Sequence, residues 1–369
     1  MLIWAREQIG MTVSEVAEQV KRPVEEVRGW EAGLETPSFP QLERLARQVY
    51  RQPLALFFMK EPPEVPTLQE NFRTLGSNQL QLLQRDTRLA IRRVQARQDY
   101  LRELFGADDY SRSALAGLDV TLQRAPTEVA AEARAVLDYT PEAQRADRDP
   151  YKVLAGFRSR LELQRVFTFQ EAMSDIRGFA LWDEAFPVIG LQGSDHIAGR
   201  VFSIGHELGH ILLGDSDIME AKSTGQHSRS EQWCNAFASA FILPPEAIEA
   251  AAAEPRVAKQ VDDKVAYTKA IASRYGVSAT MVARRLSDAG EISNAEYNQL
   301  AKLFGSMAKA GKSIGGGPSF YKKKRSSLGN GYIQRTFELL DEGRFTYSDA
   351  AGALGVKVNQ FERLLDEVR

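Results

Sequence analysis

The amino-acid sequence predicts a mainly α protein with one small region of mixed α and β structure near its middle. Apolar residues recur at helical spacing along most of the chain, as in the stripe formed by Val24, Val27 and Trp30. Short segments rich in aromatic and β-branched residues predict strands only at 165–169, 178–182 and 186–191. These strands come directly before the most distinctive motif of the chain, which lies within residues 203–213.

Composition and charge indicate an ordinary globular protein. The chain has 369 residues, of which 43% are hydrophobic and 26% charged, and its net charge is −2; this length suits two or three domains. A nearly neutral chain has no overall field that attracts nucleic acid or a membrane. Its one cysteine, Cys234, excludes an intramolecular disulfide, and no apolar run approaches the roughly 18 residues of a membrane span. Since the N-terminus does not resemble a signal peptide, we expect a cytoplasmic protein with no membrane partner.

The distinctive motif is H-E-x-x-H, formed by His206, Glu207 and His210. Histidines four residues apart lie one turn apart on the same face of a helix, where their imidazoles can hold one Zn²⁺. Glu207 can take a proton from a water molecule that the metal polarises. The apolar flanks argue against a surface helix with two solvated histidines. Gly205 and Gly209, four residues apart, predict the close approach of another backbone.

A second segment, residues 230–244, offers a third metal ligand. Aromatic residues recur there every four positions and predict a buried helix that ends at Pro244: Trp233, Phe237 and Phe241. Glu231 is the acid in the first turns of this helix. It either ligates the metal, since a carboxylate among apolar residues needs a partner, or simply suits the positive end of the helix dipole. Asn235, one turn further on, either hydrogen-bonds a ligand histidine or fixes a loop.

Together the two segments, H-E-L-G-H and E-x-x-C-N-x-F-A-x-x-x-x-L-P, resemble the ImmA/IrrE family of bacterial zinc metallopeptidases. The resemblance implies an α+β zincin-like metallopeptidase domain with Zn²⁺ on His206, His210 and Glu231. It also implies that Glu207 is the general base. Two histidines and one carboxylate also accept Mn²⁺ or other divalent ions, so the donor set favours zinc without excluding them.

Residues 1–60 form a separate helical unit. The run V-S-E-V-A-E-Q-V-K-R-P-V-E-E-V-R-G-W-E-A-G resembles the Cro/repressor-type (XRE) helix-turn-helix. Lys21, Arg22 and Arg28 are candidates for contacts with DNA phosphates. Glu25 and Glu26 stand where such a helix faces the major groove; they repel phosphates, although a glutamate can accept a hydrogen bond from cytosine. Two interpretations therefore remain: DNA binding through residues 1–60, or docking of a protein partner.

The remaining chain divides into three further predicted parts. Residues 61–119 read as a proline-containing linker followed by a basic amphipathic helix, Asn78 to Phe105, whose arginines either contact nucleic acid or, as is more common, form a solvated face. Residues 120–305 form the metallopeptidase domain with trailing helices; within it we expect strand 186–191 to be the exposed edge that holds an extended peptide. His196 and His227 are candidates for stabilising the oxyanion. Residues 306–369 form a C-terminal helical unit, which begins with a mobile, basic segment.

These features favour an intracellular zinc endopeptidase. The resemblance implies cleavage of an XRE-type transcriptional repressor that controls a stress response or a mobile element, with residues 1–60 recognising the substrate or DNA. The alternative is an XRE-type DNA-binding transcriptional regulator, or an antitoxin, whose zinc domain is a sensor or structural element rather than a protease.

Overall fold

The computed structural model describes residues 1–63, 83–105, 113–214, 218–220, 228–310 and 319–368. Contacts divide the chain into two units. The first consists of Met1–Ala96 with Ala172–Asp175, and the second of Arg97–Glu171 with Ile176–Arg369. The predicted division into four parts stays a prediction. Most of the predicted linker, the segment 106–112, His227 and the segment 311–318 lie outside the described residues.

Short helices build the first unit, as the apolar stripes predict. They are α1 (Leu2–Gln8), α2 (Val13–Val20), α3 (Val24–Glu31), α4 (Phe39–Arg44) and the first part of α5 (Arg85–Phe105). A π-helical stretch, Leu45–Tyr50, continues α4, and a 3-10 helix follows at Leu54–Phe58. The core of this unit contains Val16, Val27, Trp30 and Val49, each at most 5% exposed.

The predicted pair of helices at 13–31 is present, and its boundaries have local causes. Thr12 and Glu15 form a capping box at the start of α2, and Lys21 ends α2 in the left-handed conformation with φ 57°. Pro23 then fixes the start of α3.

The five candidate binding residues of this helix pair differ in exposure. The exposed ones are Lys21, Arg22, Glu25 and Arg28. Glu26 is half-buried, lies 3.8 Å from Arg22 and accepts a hydrogen bond from Gln41. Glu26 therefore has partners within the unit, whereas the other four side chains face solvent. Whether they bind DNA or protein stays a prediction.

Helix α5 confirms the predicted helix that ends at Phe105, but its arginines do not all form a solvated face. In the first unit, Arg85 donates to backbone carbonyls of the π-helical stretch, and Arg92 donates to the carbonyl of Gln8. In the second unit, Arg97 forms a buried ion pair with Glu171 at 2.6 Å. The expectation of a solvated arginine face therefore holds only for Arg93 and Arg102, which are exposed, because sequence spacing does not show which residues pack against a helix.

Most of the second unit is helical. Its helices after α5 are α6 (Pro126–Leu137), α7 (Pro141–Asp147), α8 (Pro150–Leu163), α9 (Ile197–Leu212), α10 (Arg229–Ile242), α11 (Pro245–Ala252), α12 (Pro255–Ala258), α13 (Lys264–Tyr275), α14 (Ala279–Asp288), α15 (Asn294–Ala310), α16 (Phe320–Leu328), α17 (Asn330–Asp341), α18 (Tyr347–Leu354) and α19 (Phe361–Asp366). Short 3-10 helices lie at Ala114–Leu118 and Val358–Gln360. The basic run 322–325 belongs to α16, which corrects its assignment to a mobile segment. Among the described helices, none combines the length and apolar character that crossing a membrane requires.

A four-stranded sheet lies within this unit, in the order β1-β3-β2-β4. The strands are β1 (Phe167–Glu171), β2 (Ile176–Leu181), β3 (Val188–Gln192) and β4 (Ile218–Glu220). β3 runs parallel to β1 and antiparallel to β2, while β4 pairs antiparallel with β2. The three predicted strands are confirmed, and β4 is an addition. The fold is therefore mainly α with a small mixed sheet, as predicted.

The order of the strands corrects the expected peptide-binding edge. β3, which contains most of the predicted edge 186–191, lies between β1 and β2, and all five of its residues are buried. Its nearly continuous apolar sequence is typical of a strand covered on both faces. Helix α16 covers the outer side of β1, where the Ser327 hydroxyl donates to the Gln170 carbonyl at 2.6 Å. Among the described strands, β4 is therefore the edge that α16 does not cover.

Candidate metal centre

Helices α9 and α10 pack closely because α9 has two glycines on the facing side. A Cβ atom on Gly205 would lie 3.3 Å from the Cα atom of Ala238, and one on Gly209 would lie 3.3 Å from that of Cys234. These contacts confirm the predicted close approach of a second backbone. They also show that α10 runs antiparallel to α9, so its first turn, which carries Glu231, lies beside His210.

Three side chains converge at this contact. The Nε2 atoms of His206 and His210 are 3.2 Å apart. Glu231 reaches both rings, with Oε1 3.1 Å from His210 Nε2 and Oε2 3.5 Å from His206 Nε2. Ligand atoms that surround a tetrahedral zinc ion at about 2.0–2.1 Å lie about 3.3–3.4 Å from one another. The two ring nitrogens and the two Glu231 oxygens therefore have the spacing of ligand atoms around one tetrahedral ion, and these three residues are the ligands that the described part of the chain supplies.

The electrostatics of the cluster match that use. Burial lowers the pKa of His206, against the opposing influence of Glu231 and Asn235, so its imidazole is neutral near pH 7. Burial alone would raise the pKa of the Glu231 carboxyl, but hydrogen bonds and attraction from the two histidine rings, in the form that carries a proton on Nε2, outweigh it and hold this pKa well below its usual range. A neutral imidazole and an ionised carboxylate are the forms that bind a divalent cation.

Asn235 sets the orientation of one ligand ring. Its Oδ1 lies 3.1 Å from His206 Nδ1. A carbonyl oxygen accepts hydrogen bonds, so this contact favours the tautomer with the proton on Nδ1 and leaves the lone pair on Nε2, which faces the cluster. Of the two interpretations of Asn235, the structure favours the hydrogen bond to a ligand histidine.

Glu207 lies between the two histidines in sequence and is fully buried. Its side chain leans against β2, where the carboxylate approaches the backbone of Gly178. Gly178 was not identified from the sequence. The available signal was a glycine inside an otherwise apolar strand, which often marks the close approach of another group.

The remaining candidates lie elsewhere. His196 caps the start of α9 by accepting from the Ala198 amide. It precedes His206 by ten residues, which places it about 15 Å away along the helix axis. His196 is therefore too distant to stabilise an oxyanion at the cluster. The candidate residues of α2 and α3, and of the turn between them, belong to the first unit and are not part of the cluster.

Comparison with known proteins agrees with this geometry. The family model of the IrrE N-terminal-like domain, Peptidase_M78, matches residues 165–287, about a third of the chain. The matched range contains the whole sheet, α9 and α10. No curated protein and no solved structure gives a match. Within the described residues, His206, His210 and Glu231 are the one group of potential ligands that converges in this way. The match and the cluster together support a zincin-like metallopeptidase domain of the IrrE type that holds a metal ion.

Proposed function

We propose that this protein is a cytoplasmic zinc-dependent endopeptidase that cleaves a transcriptional repressor of the XRE type. One observation carries the proposal: His206, His210 and Glu231 converge with tetrahedral spacing, and the buried Glu207 lies next to them in the chain. Three protein ligands with an open fourth position are typical of catalytic zinc sites, whereas structural sites usually have four. The three ligand residues in the described part of the chain therefore favour catalysis over a purely structural or sensing role.

The residues of the site divide the chemistry between them. His206, His210 and Glu231 would hold the zinc ion, which would supply a Lewis acid for the scissile carbonyl. Glu207 takes a proton from the attacking water while the water oxygen bonds to the carbonyl carbon. Glu207 then passes that proton to the leaving amine as the C–N bond breaks. Asn235 holds the Nδ1 proton of His206, which keeps Nε2 available as a ligand.

We infer that the substrate binds in an extended conformation along β4. An edge strand can add a peptide by main-chain hydrogen bonds. β4 pairs with β2, the strand against which Glu207 lies, so a peptide on β4 would run near the base. The outer side of β1 already receives hydrogen bonds from Arg158 and Ser327, which argues against peptide addition there.

The first unit would select the substrate. Its exposed Lys21, Arg22, Glu25 and Arg28 mix both charge signs, which suits a protein surface at least as well as DNA. The same three exposed cations favour the second candidate, an XRE-type DNA-binding regulator whose zinc domain is a sensor. In that case, Arg28→Ala would abolish regulation, whereas Glu207→Gln would leave it unchanged.

Conversion of Glu207 to glutamine tests the proposal. Glu207→Gln should retain about one zinc per chain and lower the rate of repressor cleavage by about 10³-fold, since it removes the proton acceptor. Glu249→Gln, an exposed glutamate on α11, is the matched control and should cleave at the wild-type rate. Elemental analysis and peptide mass mapping of an XRE-type repressor provide the two measurements. Wild type without metal after zinc supplementation, or equal cleavage by Glu207→Gln, would contradict the proposal.

A further inference from the structure

We propose that Gly178 is a positioning residue: because it has no side chain, the Glu207 carboxylate can lie directly against strand β2. The inference rests on the proposed function, because it assigns Gly178 a role in placing the general base. It adds a residue outside both metal-binding helices to the site.

The contact between the two residues leaves no room for a methyl group. A Cβ atom built on Gly178 would lie 2.6 Å from Glu207 Oε1, 3.1 Å from Cγ and 3.2 Å from Cδ. Separations under 3.0 Å are essentially never seen for real Cβ atoms, and ordinary contact begins at 3.4 Å. Cγ, Cδ and Oε1 of Glu207 therefore occupy the space beside β2 that a side chain at position 178 would need.

Backbone conformation does not explain a glycine here. The φ angle of Gly178 is not positive, so an L-residue could adopt its conformation. Glycine also weakens a strand interior, because it has no side chain to pack and loses more conformational freedom on folding. Space for Glu207 is the physical reason that remains.

The backbones of both residues are held by their neighbours. Gly178 pairs with Leu191 of β3 on one side and with Met219 of β4 on the other, so its backbone is held by both neighbouring strands. Glu207 lies on α9, whose backbone is in close contact with α10 at Gly205 and Gly209. A methyl group at position 178 must therefore displace the flexible end of Glu207. The carboxylate would have to retreat by about 0.8 Å, and misplacement of a reacting group by about 1 Å can cost about 100-fold in rate.

A double-mutant cycle tests this coupling with two independent readouts. The four proteins are wild type, Gly178→Ala, Glu207→Ala and the double variant; alanine at position 207 removes Cγ, Cδ and Oε1, the three atoms that a methyl group at position 178 would meet. The thermal midpoint of unfolding is measured on metal-free protein, and kcat and KM on zinc-loaded protein. Gly117→Ala is the control, since a Cβ at Gly117 meets nothing within 4 Å.

We expect Gly178→Ala to lower the midpoint by at least about 3 °C in wild type and by less than about 1 °C in the Glu207→Ala background. It should lower kcat by about 100-fold with KM nearly unchanged, while zinc content stays at the wild-type level. Gly117→Ala should leave both readouts unchanged.

Equal midpoint losses in the two backgrounds would overturn the inference, as would wild-type kcat in Gly178→Ala. The cycle separates this failure from that of the proposed function. If zinc-loaded wild type cleaves no repressor, the proposed function fails, and the midpoints still decide whether Gly178 and Glu207 are coupled. If wild type cleaves and the midpoints show no coupling, only the role of Gly178 fails.

Discussion

Two buried polar clusters of the second unit differ in whether they contain their own positive charge. At the metal centre, His206, His210 and Glu231 all present electron pairs to one point. Near the start of the sheet, Arg158 is 8% exposed and donates to the Thr168 hydroxyl, the Thr168 carbonyl and the Ser326 carbonyl. Burying polar groups is costly unless they have partners. The arginine cluster is satisfied within the protein, whereas the histidine cluster has donor atoms arranged for a cation from outside.

This difference separates a structural cluster from a functional one. Arg158 joins α8 to β1 and to α16, so it holds the C-terminal helices against the sheet. Removing it should affect stability and leave the metal untouched. Removing a ligand of the metal centre should abolish metal binding and change the stability of the metal-free protein little.

Metal removal should give the largest separation between the clusters. With zinc at about 1,000 times its dissociation constant, binding stabilises the folded state by about 4 kcal/mol, and a chelator should remove this increment from wild type. In His210→Ala the chelator should leave the free energy of unfolding almost unchanged, because one of the three ligands is missing. Denaturant unfolding with and without chelator measures both. A chelator effect of equal size in His210→Ala would show that the metal binds elsewhere.

Arg158→Met should lower the free energy of unfolding by about 3 kcal/mol. The substitution leaves buried carbonyl groups without their donor and removes the link between α8, β1 and α16. Lys152→Met, an exposed lysine on the same helix, is the matched control and should change stability little. Urea unfolding gives the free energy, and elemental analysis should find normal zinc in both variants. Loss of zinc in Arg158→Met would contradict the proposal that Arg158 is structural and does not affect the metal centre.

A smaller effect is expected at Asn235, which contacts the metal centre only through His206. Asn235→Ala should weaken zinc affinity by about 10- to 100-fold, because the ring loses the acceptor that holds its tautomer. Asn235→Asp keeps an acceptor at this position and should retain more affinity. Competition with a chromogenic chelator measures the three dissociation constants. Equal affinity in Asn235→Ala and wild type would mean that packing alone orients His206.

The smallest predicted effect concerns pH and Glu162, which lies near Arg158. Burial raises the pKa of the Glu162 carboxyl, although Arg158 and the Gly331 amide oppose the shift. A carboxyl whose pKa is higher in the folded state favours folding when protonated. Its contribution is complete below the unfolded pKa, about 4.3, and is lost as pH rises through the higher folded value.

Replacing Glu162 by glutamine should therefore reduce the loss of stability between about pH 4 and pH 7 relative to wild type. Thermal midpoints across this range measure the difference, and the exposed Glu249→Gln serves as the control. A steeper loss in Glu162→Gln than in wild type would show that the attraction of Arg158 dominates burial at this site.

The metal ligands were predictable because their arrangement is mostly local. Four-residue spacing places His206 and His210 on one face wherever the helix lies, and the aromatic stripe of α10 fixes which side of that helix is buried. Gly205 and Gly209 indicated that a second helix would approach. For Glu231 the residues alone left two interpretations, a metal ligand or a favourable charge at a helix start, and the resemblance to a family favoured the first; no local pattern shows which helix lies opposite it.

The sequence by itself determined the mainly α class, the three predicted strands and the spacing of the histidines, because each depends on periodicity within one segment. Tertiary structure alone decided that β3 is central rather than an edge, since strand order depends on pairing between distant segments. It also decided that the arginines of α5 find partners inside the protein and that Glu207 rests on Gly178. These contacts join residues far apart in the chain, and only packing in three dimensions selects them.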